Sequence, residues 1–312
     1  MQTFLPVPGF DDSARLLDDA RLGKQRVETL QVLRALELTD YGWVNHPVVR
    51  MWQGRIPALV AYGLATVQEW RGRGHADSTA PLIAEFAPEV VGTSQDQLAA
   101  GGLLPSWLGD EALHRSHRSN LLAKDPDHYR PLLTARFGPE PDDLPYVWPG
   151  ADDLPSPPEP QGTRVWVVRP SSETELGVCL AAGVMGLGTR SGIDVDADGL
   201  GPGELLSLAR ERSGRRPAKD LRQLSALLDE VRPGDPVGLP VQDGTGLLLG
   251  EVVGDYVFVP REVLPHRRPV RWRAVVPRAS ARRPPPATLQ DPRALFSVVL
   301  DPALVPVDAG PR

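Results

Sequence analysis

The stretch ARLGKQRVE, from Ala20 to Glu28, carries the periodicity of an amphipathic helix and sets the class of the first half of the chain. Residues three, four and seven apart share a helical face, so Arg21, Lys24, Gln25 and Glu28 fall together. That face gathers cations, an amide and a carboxylate close to the amino terminus. The same spacing predicts that Ala20, Gly23, Val27 and Leu30 turn toward a core. Asp11, Asp12 or Ser13 is expected to cap the helix start, where a side-chain oxygen accepts an orphan backbone N–H. The plain alternative is a solvated face with a Lys24–Glu28 pair, which adds only about 0.2 to 0.5 kcal/mol.

Working outward, the pattern stays helical. YGWVNHPVVRMW is followed by PALVAYGLATVQEWRGRGH, in which Pro57 suits a first helical turn and Gly72 and Gly74 suit a helix end. A further helix is expected from about Asp110 through EALHRSHRSNLLAK, then DPDHYRPLL. Between about Gly138 and Gly162 the chain becomes dense in Pro, Asp and Gly. Its first part holds Tyr146 and Trp148 and is expected to pack back on the helices, while SPPEP reads as an extended spacer. Beyond it the period changes to two: TRVWVVRP, DPVGLPVQ, GTGLLLGEVVGDYVFVP and PVRWRAVVP read as short strands, interrupted by helices at ELLSLARERS and KDLRQLSALLDEV. The expected organisation is an all-α domain over residues 1–150, a Pro-rich linker over 151–162, and an α+β domain built on a compact small barrel over 163–305. An extended loop is expected from Ser280 to Pro286, with fraying after Ala309.

With 312 residues and a net charge of −6, the chain fits two ordinary domains and lacks the broad cationic footprint of a nonspecific nucleic-acid binder. No stretch approaches the roughly 20 apolar residues that span a bilayer, and MQTFLPVPGF lacks the features of a signal peptide. Cys179, the lone cysteine, excludes an internal disulfide and reads as a small buried hydrophobe in a reducing cytoplasm. His46 precedes Pro47, which restricts it to an extended conformation; it either orients a sugar or phosphate or makes a structural hydrogen bond, and Arg50 lies one turn on. His114 and His117, with Glu111 before them, have helical spacing, but no third ligand pattern completes a metal site. With Arg115, Ser116 and Arg118 they make either helix-packing contacts or phosphate contacts of the kind that suit a nucleic-acid backbone. In the second domain Trp166, Tyr256, Phe258 and Trp272 either pack in the core or line an aromatic slot able to stack a flipped base.

The runs MQTFLPVP, LDDARLGKQRVETLQVLRAL, YGWVNHPVVRMW and LPSWLGDEALHRSHRSNLLAKDPDHYRPL, ending in LPYVWP, resemble a bacterial branch of the pyrimidine-dimer DNA glycosylase family, relatives of the phage endonuclease V. The resemblance implies an all-helical glycosylase and AP lyase in which the chain's α-amine attacks the sugar C1′ and forms a Schiff base, with no cofactor or metal. It implies Met1 as nucleophile, with Lys24 as an alternative amine, and Glu28 as general acid/base. Arg21, Gln25, Arg26, His46 and Arg50 would contact the sugar and phosphates, with further backbone contacts from His114, His117 and Arg118. The family's Arg–Glu pair is absent: aligning on Arg21 puts Leu22 where the Glu belongs, and Glu28 or Asp18 would have to substitute. The span VRPGDPVGLPVQDGTGLLLGEVVGDYVFVP with RPVRW is similar to PUA-like and EVE-like modules that read modified bases, as attached to Mrr-type restriction endonucleases. These likenesses imply action on damaged or modified pyrimidines in DNA, in repair or phage defence, beside a possible nuclease partner. The alternative is a catalytically inactive sensor of modified DNA or RNA.

Overall fold

The computed structural model describes residues 1–38, 43–150, 162–213, 218–241, 245–278 and 289–305. Tyr41, most of the expected linker, the Ser280–Pro286 loop and the end beyond Ala309 lie outside them. The chain divides into two compact units, Met1–Glu159 and Pro160–Arg312.

The first unit is helical: α1 (Phe10–Leu16), α2 (Asp19–Glu37), α3 (Pro47–Met51), α4 (Ile56–Gly72), α5 (Ala80–Ala84), α6 (Gln95–Ala100), α7 (Glu111–Lys124) and α8 (Pro126–Phe137). The helix at residues 20–28 does not begin at Asp11, Asp12 or Ser13. The chain breaks after α1, and Asp18 caps α2 by accepting the Arg21 N–H. Pro57 sits in the first turn of α4, and Gly74 follows its end at a φ of 88°.

The buried side of α2 also differs from the expected one. Ala20 and Val27 are exposed, whereas Leu22, Gln25, Thr29, Leu30, Val32 and Leu33 are buried. This stripe still obeys helical spacing, but it includes two polar residues, so hydropathy alone picked the wrong edge. Leu22 joins Phe4, Leu17, Leu121, Leu122 and Tyr129 in one core cluster, on which Tyr146 also packs. Helices α2 and α4 meet closely at Gly63, where a Cβ would stand 2.7 Å from Thr29 Cγ2.

The second unit contains β1 (Thr163–Val168), α9 (Glu173–Ala182), β2 (Val184–Leu187), α10 (Pro202–Ser213), α11 (Ala218–Asp229), β3 (Pro236–Val241), β4 (Gly246–Val252), β5 (Val257–Phe258), β6 (His266–Pro277) and β7 (Leu295–Leu300). The sheet runs β2-β6-β4-β3-β1-β7, with β5 also on β6. Only β1 and β3 pair in parallel. Strand β6 changes partners along its length: residues 266–269 pair with β2 and residues 270–277 with β4. Strand β1 is buried on both faces, Trp166 and Val168 in one core, Val165 and Val167 in the other. The sheet is mixed, and among the described residues no ladder joins β2 to β7, so the structure shows a mixed sheet without the closure expected of a small barrel. Cys179 is fully buried, which pushes its thiol pKa up to about 12. Among the described residues no helix is long and apolar enough to cross a membrane.

Candidate active site

The segment from Gln2 to Val7 is buried throughout, yet it belongs to no helix or sheet. A buried backbone without ladder partners must find them elsewhere, and here side chains supply them. Phe4 N–H donates to Gln25 Oε1 at 2.8 Å, and the Tyr62 hydroxyl donates to the same oxygen at 2.6 Å while lying 2.9 Å from the Phe4 carbonyl. Leu5 N–H donates to His117 Nδ1 at 2.9 Å. His114 Nε2 accepts the Gly109 N–H, so its Nδ1–H donates to the Leu5 carbonyl at 2.7 Å. Arg118 donates to the Pro6 carbonyl at 3.0 Å, and the Trp52 indole N–H donates to the Thr3 hydroxyl at 2.9 Å. Ser13 closes the segment on both polar groups of Val7.

This clamp delivers Gln2 to Glu28. Gln2 N–H donates to Glu28 Oε2 at 3.0 Å, and Met1 is half-buried beside it. His46 reports the same neighbourhood: burial and the positive amino terminus lower its pKa, while the Glu28 charge works to raise it. Its Nδ1 accepts the Val48 N–H at the start of α3, so the neutral ring keeps its proton on Nε2. Burial and the Glu28 charge push the Tyr146 hydroxyl up to about 12. Tyr62 is raised well above its usual value, first by burial and then by Glu28.

Aromatic rings line this end of the unit. Trp43 meets His46 at 5.6 Å between centroids, His46 meets Trp148 at 6.4 Å, and Trp148 meets Tyr146 at 5.6 Å. Tyr146 continues inward to His117 and Phe4. The series runs from Trp43, which is 50 % exposed, to the buried clamp.

Several residues expected to touch DNA make hydrogen bonds and ion pairs within the first unit. Gln25, His114, His117 and Arg118 are buried and hold the amino-terminal segment. Burial lowers the pKa of His114, and lowers that of His117 to about 3, so both rings are neutral. Arg118 also pairs with Glu140 at 2.8 Å and with Glu111, which is why a cation is tolerated there. Arg26 reaches the buried Asp77 at 2.7 Å and lies over Trp70. Arg21 bonds Asp18 at 3.1 Å and the Lys124 carbonyl at 3.2 Å. Asp18 is occupied too: burial works to raise its pKa, but hydrogen bonds from Tyr129 and Arg21 outweigh it and the net shift is downward. Lys24 is exposed and, among the described residues, forms no ion pair with Glu28, so the Lys24–Glu28 pair of the plain alternative gives way to the bond from Gln2. Arg50 is exposed, with Asn45 Oδ1 at 3.4 Å.

In the second unit Trp166 is buried, and its indole N–H donates to Asp235 at 3.2 Å. Trp272 donates to the Cys179 carbonyl at 2.9 Å, and the Tyr256 hydroxyl lies 2.8 Å from His266 Nδ1. All three pack on one core, and their polar atoms are consumed within the fold. Phe258 stacks obliquely on His266. Among the described residues no group of three His, Cys, Asp or Glu is placed to hold a metal ion.

The aromatic lining of Trp43, Tyr146 and Trp148 was absent from the sequence-derived candidates. Its signal was the pair of aromatics in LPYVWP, far from Glu28 in the chain. Residues 1–80 match the model of a family described as pyrimidine dimer DNA glycosylase. The matched region runs from the clamped segment through α4 and includes Met1, Glu28 and His46. No curated protein and no solved structure matches the chain.

Proposed function

We propose that the first unit is a DNA glycosylase and AP lyase for damaged or modified pyrimidines, with the Met1 α-amine as nucleophile and Glu28 as general acid/base. The observation that carries this reading is the side-chain clamp, which holds Gln2, the residue next to Met1, on the Glu28 carboxylate. An α-amine is a nucleophile through its nitrogen lone pair. Its lone pair would attack C1′ as the glycosidic bond breaks and the base departs with the bonding electrons and a proton. Opening of the sugar ring then gives an imine, and removal of a C2′ proton expels the 3′ phosphate. Among the described residues Glu28 is the carboxylate that accepts from the amino-terminal segment, and it would carry the protons. Arg50 and Lys24 remain exposed for phosphates. Lys24 is exposed, whereas Met1 is half-buried next to the Gln2–Glu28 bond, so Met1 takes precedence.

Two changes test the reading on a duplex bearing an abasic site. Two residues added ahead of Met1, or Glu28→Gln, should each lower incision at least a hundredfold. Full activity in the extended chain contradicts an α-amine nucleophile.

We also read the second unit as a PUA-like reader of modified bases. Its support is the likeness of residues 231–260 and Arg268–Trp272 to such modules. Duplex binding that prefers a modified base and persists in Glu28→Gln tests it; a chain that binds RNA in preference contradicts it.

A further inference from the structure

The rings beside Met1 and Glu28 carry polar atoms that the fold leaves unused. His46 spends Nδ1 on the Val48 N–H and keeps a proton on Nε2. Among the described residues the Tyr146 hydroxyl and the Trp148 indole N–H have no hydrogen-bond partner. The contrast with the rest of the molecule is informative, because Trp52, Trp70, Trp107, Trp166 and Trp272 all donate. Half-buried donors left idle beside a nucleophile are suited to a ligand rather than to the fold.

We propose that Tyr146, Trp148 and His46 form the base-recognition site of the glycosylase, and that it selects a flipped pyrimidine with carbonyls at both C2 and C4. This rests on the function proposed above. The His46 Nε2–H and the Trp148 indole N–H can only donate, and the Tyr146 hydroxyl can donate or accept. A thymine- or uracil-type base offers O2 and O4 as acceptors. A cytosine-type base offers an amino group in place of O4, which sets donor against donor at His46 or Trp148 and leaves both unpaired. Donors aimed at O2 also stabilise the charge that builds on the departing base. Trp43, exposed at the outer end of the ring series, supplies a face on which a flipped base can stack.

The test compares full-length protein on three duplexes under single-turnover conditions, one with 5-hydroxymethyluracil, one with 5-hydroxymethylcytosine and one with an abasic site. Wild type should release the uracil-type base at least tenfold faster than the cytosine-type base. In Tyr146→Phe the ratio of uracil-type excision to abasic-site incision should fall at least tenfold, and Trp148→Phe should act in the same direction. Incision of the abasic duplex without base preference in wild type overturns the inference, as does an unchanged ratio in Tyr146→Phe. Wild type that cleaves the abasic duplex but releases neither base also overturns it, and leaves the lyase intact. Failure to cleave the abasic duplex overturns the glycosylase/lyase function itself.

Discussion

At the scale of single residues, Glu28 and Gln25 show what a polar helix face can conceal. Both belong to the same face by spacing, but Glu28 is half-buried against the amino terminus and Gln25 is wholly buried beneath it. The face was legible in the sequence and its division was not, because a buried amide that accepts two hydrogen bonds has the same composition as a solvated one. Gln25→Leu leaves the Phe4 N–H without an acceptor, whereas the Tyr62 hydroxyl can turn to the Phe4 carbonyl. Urea unfolding should therefore show a loss of about 1 to 3 kcal/mol. Leu22 occupies the position where the resembled family carries its Glu, and it is fully buried in the core. Leu22→Glu should destabilise the unit rather than restore a catalytic group, with a shift in the denaturant midpoint as its measure.

At the scale of elements, α2, α4 and α7 matter because together they grip one strand of chain. Helix ends were legible from Asp110, Pro57 and Gly74, whose roles are local. The break between α1 and α2 was not, since Asp11 and Asp12 are as good a cap signal as Asp18. The α2–α4 crossing depends on Gly63, where an added Cβ would press on Thr29 and Ile83. Gly63→Ala should cost about 1 to 3 kcal/mol by overpacking, read in the same unfolding experiment. Helix α7 makes the grip sensitive to acid. Burial holds His114 below its usual value of 6.5 and His117 at about 3. As pH falls below 6.5 the unfolded chain gains protons that the folded His117 refuses until about pH 3, so stability declines through that window. Thermal unfolding followed from pH 7 to pH 4 should show a falling midpoint, less steep in His117→Gln.

At the scale of the molecule, the change from helical to alternating period near residue 160 was plain in the sequence, and two compact units lie on either side. The missing closure of the second unit's sheet among the described residues was not legible, because β2 and β7 lie in segments without a strong strand signal and β6 exchanges partners midway. The first unit's logic is also long-range: side chains from Gln25 to Arg118 converge on residues 2–7. So many buried partners for six residues of irregular chain are accounted for if the position of the amino terminus is itself the functional product. The most direct check is borohydride reduction of the protein on an abasic duplex, followed by mass mapping of the linked peptide. The account predicts a covalent adduct on the α-amine of Met1, lost in Glu28→Gln; an adduct on Lys24, or none on a duplex that the protein binds tightly, would contradict it.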